Sequence, residues 1–222
     1  MGIKSVMNTD RLYWLGRYSE RVYTTLKLFS RSFDYLIEQY GDDHRAFCES
    51  LEIPDIYRDK DDFIDRYAFS LEDPNSIISN LYRAYDNAIE LREEIGSETL
   101  SFIQIAIYEM SAAKRSEAPL LHFQKITDAI LAFWGCVDDQ IDDENTRNII
   151  KIGKRIERLD LYARLKKEPR AIRREVKRLA GRIGRTDLIY SQDDLQNIID
   201  LANAPELDYW EIIRLVEQFV EC

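Results

Sequence analysis

The chain has 222 residues, with 31 Lys and Arg against 41 Asp and Glu, a net charge of −10 at neutral pH. At 45% apolar and 32% charged residues it reads as neither a disordered nor a membrane-spanning chain, and eight Gly with five Pro are too few for a loop-rich all-β fold. The charge is unevenly divided: positions 147–185 hold fifteen basic and four acidic residues, so the acidic total discourages nucleic acid while local anion binding stays open.

In chain order, the opening stretch MGIKSVMNTDRLYW lacks an apolar signal region, and Val6 stands where a myristoylation motif needs Ser or Thr. A long helix is expected next. Thr9 is its expected cap, and Leu12, Leu15, Ser19, Val22, Leu26, Phe29 and Phe33 recur at spacings of three and four, on through Ile37 and Tyr40 to a stop at Gly41. AFCESLEI and KDDFIDRYAF read as short helices. Asp73-Pro74 reads as a cap followed by a first-turn proline, opening a helix that runs to a break at Gly96 and resumes through Leu100, Ile103 and Met110. Further helices are expected from Pro119 towards VDDQIDDEN, from Ile149 to Ala163, over the basic stretch 170–181, after Ser191 and after Asp208. No useful alternating pattern appears. The expected fold is all-α: one helical-bundle domain over 1–222 with long antiparallel helices.

Cys48, Cys136 and Cys222 are odd in number and far apart, and read as reduced thiols of a cytoplasmic protein, with Cys136 a small core residue. No stretch approaches the roughly 20 apolar residues of a membrane span. Two histidines without clustered cysteines give no zinc signature, and no nucleophile triad stands out.

One internal echo carries the chemistry. Leu15-Gly16-Arg17-Tyr18-Ser19-Glu20-Arg21 lies over Ile152-Gly153-Lys154-Arg155-Ile156-Glu157-Arg158, each reading aliphatic, Gly, basic, any, any, Glu, Arg. A glycine inside a helix costs about 0.5–1 kcal/mol relative to Ala, so two matched ones call for a reason, and close approach of the two helices supplies it. The glutamates would then meet arginines of other helices, while Arg17 and Arg21 turn further round, towards solvent or another layer. The echo allows an internal pseudo-two-fold. Buried Glu–Arg pairs commonly serve register alone. The functional alternative is a polar cleft: Arg17, Arg21, Arg92, Arg155 and Arg158 would recognise anions, and Glu20, Glu98 and Glu157 would fix those arginines or bind an amine.

These blocks resemble the Alpha-E family, bacterial all-helical proteins with a Glu-Arg motif. The resemblance covers Tyr13 to Arg21, then Gly135, Asp138 to Asp143, the run Ile152 to Asp160 and Ala163-Arg164-Leu165, with a weaker match from Leu91 to Leu100, where the family often has an aromatic at the last position. It implies a neighbour: Alpha-E proteins occur beside or fused to ATP-grasp-type ligases and transglutaminase-like proteins. The expected role is a binding or accessory component of an amide- or peptide-bond-forming system, with the ligase as partner.

A rival motif is the DDxxD run of Asp138, Asp139 and Asp142. On one helix face it could hold Mg²⁺ for a diphosphate substrate, as in isoprenoid synthases, but no second Asp-rich helix of matching spacing accompanies it, and a solvated helix junction is the alternative. No cofactor is expected otherwise. The basic stretch RLKKEPRAIRREVKRLAGRIGR carries Ile172, Val176, Leu179 and Ile183 as one apolar stripe and no aromatic to stack on bases. It reads as a surface helix or as a docking face for an acidic partner or a second copy of the chain. A purely structural scaffold remains the third reading.

Overall fold

The computed structural model of the protein describes residues 3–38 and 44–220, with side chains over 7–33 and 44–220. Among them the secondary structure is helical, without strands: α1 (Ile3–Glu38), α2 (His44–Leu51), α3 (Lys60–Phe69), α4 (Ile77–Glu90), α5 (Arg92–Ile95), α6 (Ser97–Ala113), α7 (Pro119–Asp139), α8 (Glu144–Arg164), α9 (Pro169–Ile183), α10 (Gln192–Asn203) and α11 (Tyr209–Gln218). The protein is all-α, as the helical periodicities require. It divides into two compact units, Met1–Glu20 with Asp142–Cys222, and Arg21–Ile141.

The first unit contains the beginning of α1 and the helices α8 to α11. Asp143, Ser191 and Asp208 cap α8, α10 and α11, each side chain accepting the backbone N–H three residues on. The stripe Ile172, Val176, Leu179 and Ile183 buries one face of α9 against α8, and Ile212, Ile213, Leu215 and Val216 bury α11. Gly181 lies inside α9, and the helix ends at Ile183 with Gly184 as its cap.

The second unit holds the rest of α1 with α2 to α7. Its core centres on Phe29, whose ring meets those of Phe33, Phe47, Phe63, Tyr67 and Phe123 at centroid distances of 5.7 to 6.3 Å. The helices α6 and α7 form an antiparallel hairpin, with Glu109 Oε2 and His122 Nδ1 meeting at 2.7 Å across the turn. Gly96, at φ 80°, makes the break before α6.

Two start signals are misplaced by local reasoning. The helix α1 begins at Ile3, so Thr9 lies inside it rather than capping it. The cap of α4 is Ser76, whose side chain accepts from Ser79 N, and not Asp73. Asp73 is buried: its Oδ2 accepts the Tyr57 hydroxyl at 2.6 Å and its Oδ1 accepts Asn75 N at 2.9 Å, so it closes the turn before the helix and leaves the cap to Ser76. Ile37, Tyr40, Gly41 and Cys222 lie outside the described side chains. Cys48 is buried, and desolvation pushes its thiol up to about 12, with Asp55 and Asp73 adding to the shift. Cys136 is half-buried rather than a core residue, its thiol also raised by desolvation and by Glu98 and Asp139.

Candidate functional site

The two motif helices of the first unit meet backbone to backbone. A Cβ added at Gly16 would overlap the Ile150 carbonyl oxygen, and one at Gly153 would overlap the Tyr13 carbonyl oxygen. Any side chain at either position would push α1 and α8 apart, which is the reason for both mid-helix glycines. Past the glycines, Arg17 and Glu20 of α1 meet Glu157 and Arg158 of α8.

This close approach sets the charged side chains. Arg17 Nε donates to Glu157 Oε2 at 2.7 Å, and Arg158 donates to Glu20 through Nε at 2.6 Å and Nη2 at 2.8 Å. Both carboxylates are 0% exposed. Charge-assisted, partly bidentate bonds of this kind give directional as well as electrostatic attraction. Arg17 is buried against α8 instead of turning towards solvent or another layer, its guanidinium held by Glu157. Burial opposes its charge, but Glu157, Tyr13 and Asp160 more than offset this and raise its pKa above the ordinary arginine value. Its guanidinium also sits over the Trp14 ring, 5.0 Å from the centroid.

Lys154 belongs to the same cluster and was not singled out by its residue type. Burial holds its ammonium down to about 7, Glu20 opposes the shift, and Arg158, Arg155 and Lys151 add to it. The internal echo places Lys154 opposite Arg17, which is the signal that could have found it.

The other predicted residues go elsewhere. Arg155 turns to α9, where Nη1 donates to Glu175 Oε2 at 2.8 Å. Arg21, Arg92 and Glu98 belong to the second unit. There Arg21 is half-buried, and Arg92 and Glu98 are exposed, with Arg92 Nε donating to Ser97 Oγ at 3.0 Å.

Asp138, Asp139 and Asp142 are all exposed. The helix α7 ends at Asp139, so Asp142 is not on a helix face with the other two, and the i, i+4 arrangement of the DDxxD reading is not formed. Asp143 instead caps α8, accepting from Thr146 N at 2.6 Å. Among the described residues no group of three Cys, His, Asp or Glu side chains is placed to hold a metal ion.

The Alpha-E family profile, described as a predicted alpha-helical domain with a conserved ER motif, matches residues 8–201. The chain belongs to the Alpha-E family. No curated protein and no solved structure matches it. Both Glu-Arg blocks of this Alpha-E chain fall inside the matched span, as do α8 and α9 entire. No helix among the described residues is long and apolar enough to cross a membrane.

Proposed function

We propose that this Alpha-E protein is a binding or accessory component of an ATP-grasp-associated system that forms amide or peptide bonds. Its motif arginines would help to hold a peptide or amino-acid-like group, and the partner ligase would carry out the chemistry. One observation carries the non-catalytic part: Glu20 and Glu157 are fully buried, and each accepts hydrogen bonds from an arginine of the facing helix. A general acid or base needs reach to a substrate proton, and neither carboxylate has it. Arg17 and Arg158 retain side-chain exposures of 10% and 15%, an edge through which a carboxylate could be recognised.

The same burial favours a second reading, in which the Glu–Arg pairs serve only to set helix register. Capture of the ATP-grasp ligase from the same genome, with measurement of amide product, separates the two readings. Arg17→Lys and Arg158→Lys keep the charge and lose the fork. Product loss of at least about tenfold, corresponding to about 1.4 kcal/mol, in variants with unchanged helical signal supports the binding reading. Wild-type output from equally folded variants overturns it and leaves the register device. Failure of the wild-type protein to capture the ligase overturns the partnership.

A further inference from the structure

The side of α8 turned away from Gly153 and Glu157 runs antiparallel to α9, and this seam gathers cations. Two hydrogen bonds set its register. Arg182 Nη1 donates to Asn148 Oδ1 at 2.9 Å at one end, and Arg155 Nη1 donates to Glu175 Oε2 at 2.8 Å at the other. Between them stand Lys151 on α8 and Arg178 on α9, each four residues from a cation of its own helix and so about one turn away. Four cations thus converge within a patch about one helical turn on a side.

Glu175 is a buried carboxylate on this seam, and its acceptors are in use. Oε2 takes Arg155, while Oε1 takes Arg174 at 3.2 Å and Arg178 at 3.1 Å. Arg182 donates to a neutral amide, Asn148 Oδ1, and to no carboxylate among the described residues. Lys151 is buried, although its ammonium is costly to remove from water. Burial, with Arg182 and Arg155 adding to the effect, brings it down to about 8. Arg182 is itself lowered, first by burial and then by Arg185, Arg147 and Arg178. Arg155 Nε is a buried donor without a hydrogen-bond partner among the described residues. Cations held this close disfavour one another, and a multiply charged anion placed among them would be attracted to each and offset that repulsion.

We propose that the α8–α9 seam is a binding site for a phosphate-type oxyanion, held by Lys151, Arg155, Arg178 and Arg182. Guanidinium forks match the several oxygens of a phosphate group, and the small span suits a compact polyanion better than an extended acidic peptide. The site is separate from the Glu–Arg crossing and does not depend on the partnership proposed above.

The test is calorimetric titration of the full chain with inorganic pyrophosphate at pH 8, in two buffers of different ionisation enthalpy. Wild-type protein is expected to bind saturably at one site and to take up protons, because the bound anion drives Lys151 to its charged form. Arg182→Gln, which keeps an amide to face Asn148, and Lys151→Met should each weaken binding at least about tenfold, or about 1.4 kcal/mol, and Lys151→Met should also reduce proton uptake. Arg214→Gln, at an exposed position of α11, should leave binding unchanged. Absence of saturable binding to folded wild-type protein overturns the proposal. So does equal affinity in the wild type and both seam variants, or an equal loss in Arg214→Gln. A parallel titration with ATP distinguishes a nucleotide from a bare oxyanion: tighter binding, still lost in the seam variants, extends the site to a nucleotide phosphate.

Discussion

Arg158 of α8 grips Glu20 of α1 with two hydrogen bonds of 2.6 and 2.8 Å, joining residues 138 positions apart in the chain. The carboxylate is wholly buried and the guanidinium nearly so. Such a pair contributes little net stability over an apolar replacement, yet losing one partner leaves a charge buried without its designed counter-ion. It acts as a lock on register, because only one sliding position of α1 on α8 brings the fork to both oxygens.

Arg158→Met should therefore lower the unfolding free energy by about 3–5 kcal/mol, measured from urea denaturation. Removing both partners, as Glu20→Leu with Arg158→Met, should recover most of that loss. A double variant as unstable as the sum of the two single ones would show that the two side chains do not act as a pair.

The glycines offer a sharper contrast. Gly16→Ala and Gly153→Ala each drive a methyl group into a backbone carbonyl that cannot rotate away, so each should destabilise by about 3 kcal/mol or more. Gly135→Ala, on an exposed part of α7 with nothing within 4 Å of the added Cβ, should instead stabilise by about 0.5–1 kcal/mol through helix propensity. Thermal midpoints of the three variants check both signs together.

Stability should rise between about pH 7 and pH 9. Lys154 and Lys151 are held at about 7 and about 8 in the folded protein, against 10.5 for the free side chain. Over that interval the unfolded chain binds more protons than the folded one, so raising the pH favours folding. Above pH 9 the trend is opposed by Cys48, raised from 9.0 to about 12, whose contribution falls as the unfolded thiol ionises. Urea midpoints across this range should show the rise, and Lys151→Met or Lys154→Met should each flatten it. An unchanged slope in the double Met variant would contradict the assignment to these two lysines.

Tyr57 and Asp73 make a buried hydrogen bond within the second unit, and burial together with the Asp73 carboxylate raises the phenol well above its ordinary range. Tyr57→Phe keeps the ring contacts with Phe63 but removes the donor to Asp73. A loss of about 1–3 kcal/mol is expected. Asp73→Asn can still accept from the hydroxyl but turns its NH2 group towards Asn75 N, so it should lose at least as much.

Much of the fold is legible in the residues themselves. Apolar spacing, Pro119, Ser191 and Asp208 place the later helices, because those signals act on the backbone within one or two turns. The paired Gly-x-x-x-Glu-Arg blocks point to a close helix crossing, because a glycine in mid-helix is unfavourable unless another backbone occupies the space. Local signals misplace one start by three residues: Asp73 looks like the cap of α4, but its Oδ1 holds Asn75 N, its Oδ2 the Tyr57 hydroxyl, and Ser76 caps the helix. The partners of the motif charges are also a tertiary matter. That Arg17 meets Glu157, that Arg158 meets Glu20, and that Arg155 turns instead to Glu175 depends on the rotation and relative direction of α1, α8 and α9, which no sequence interval encodes. The charge arithmetic shows a basic stretch over 147–185; only the packing of α8 on α9 buries Lys151 beside arginines and makes part of that stretch a seam rather than a surface.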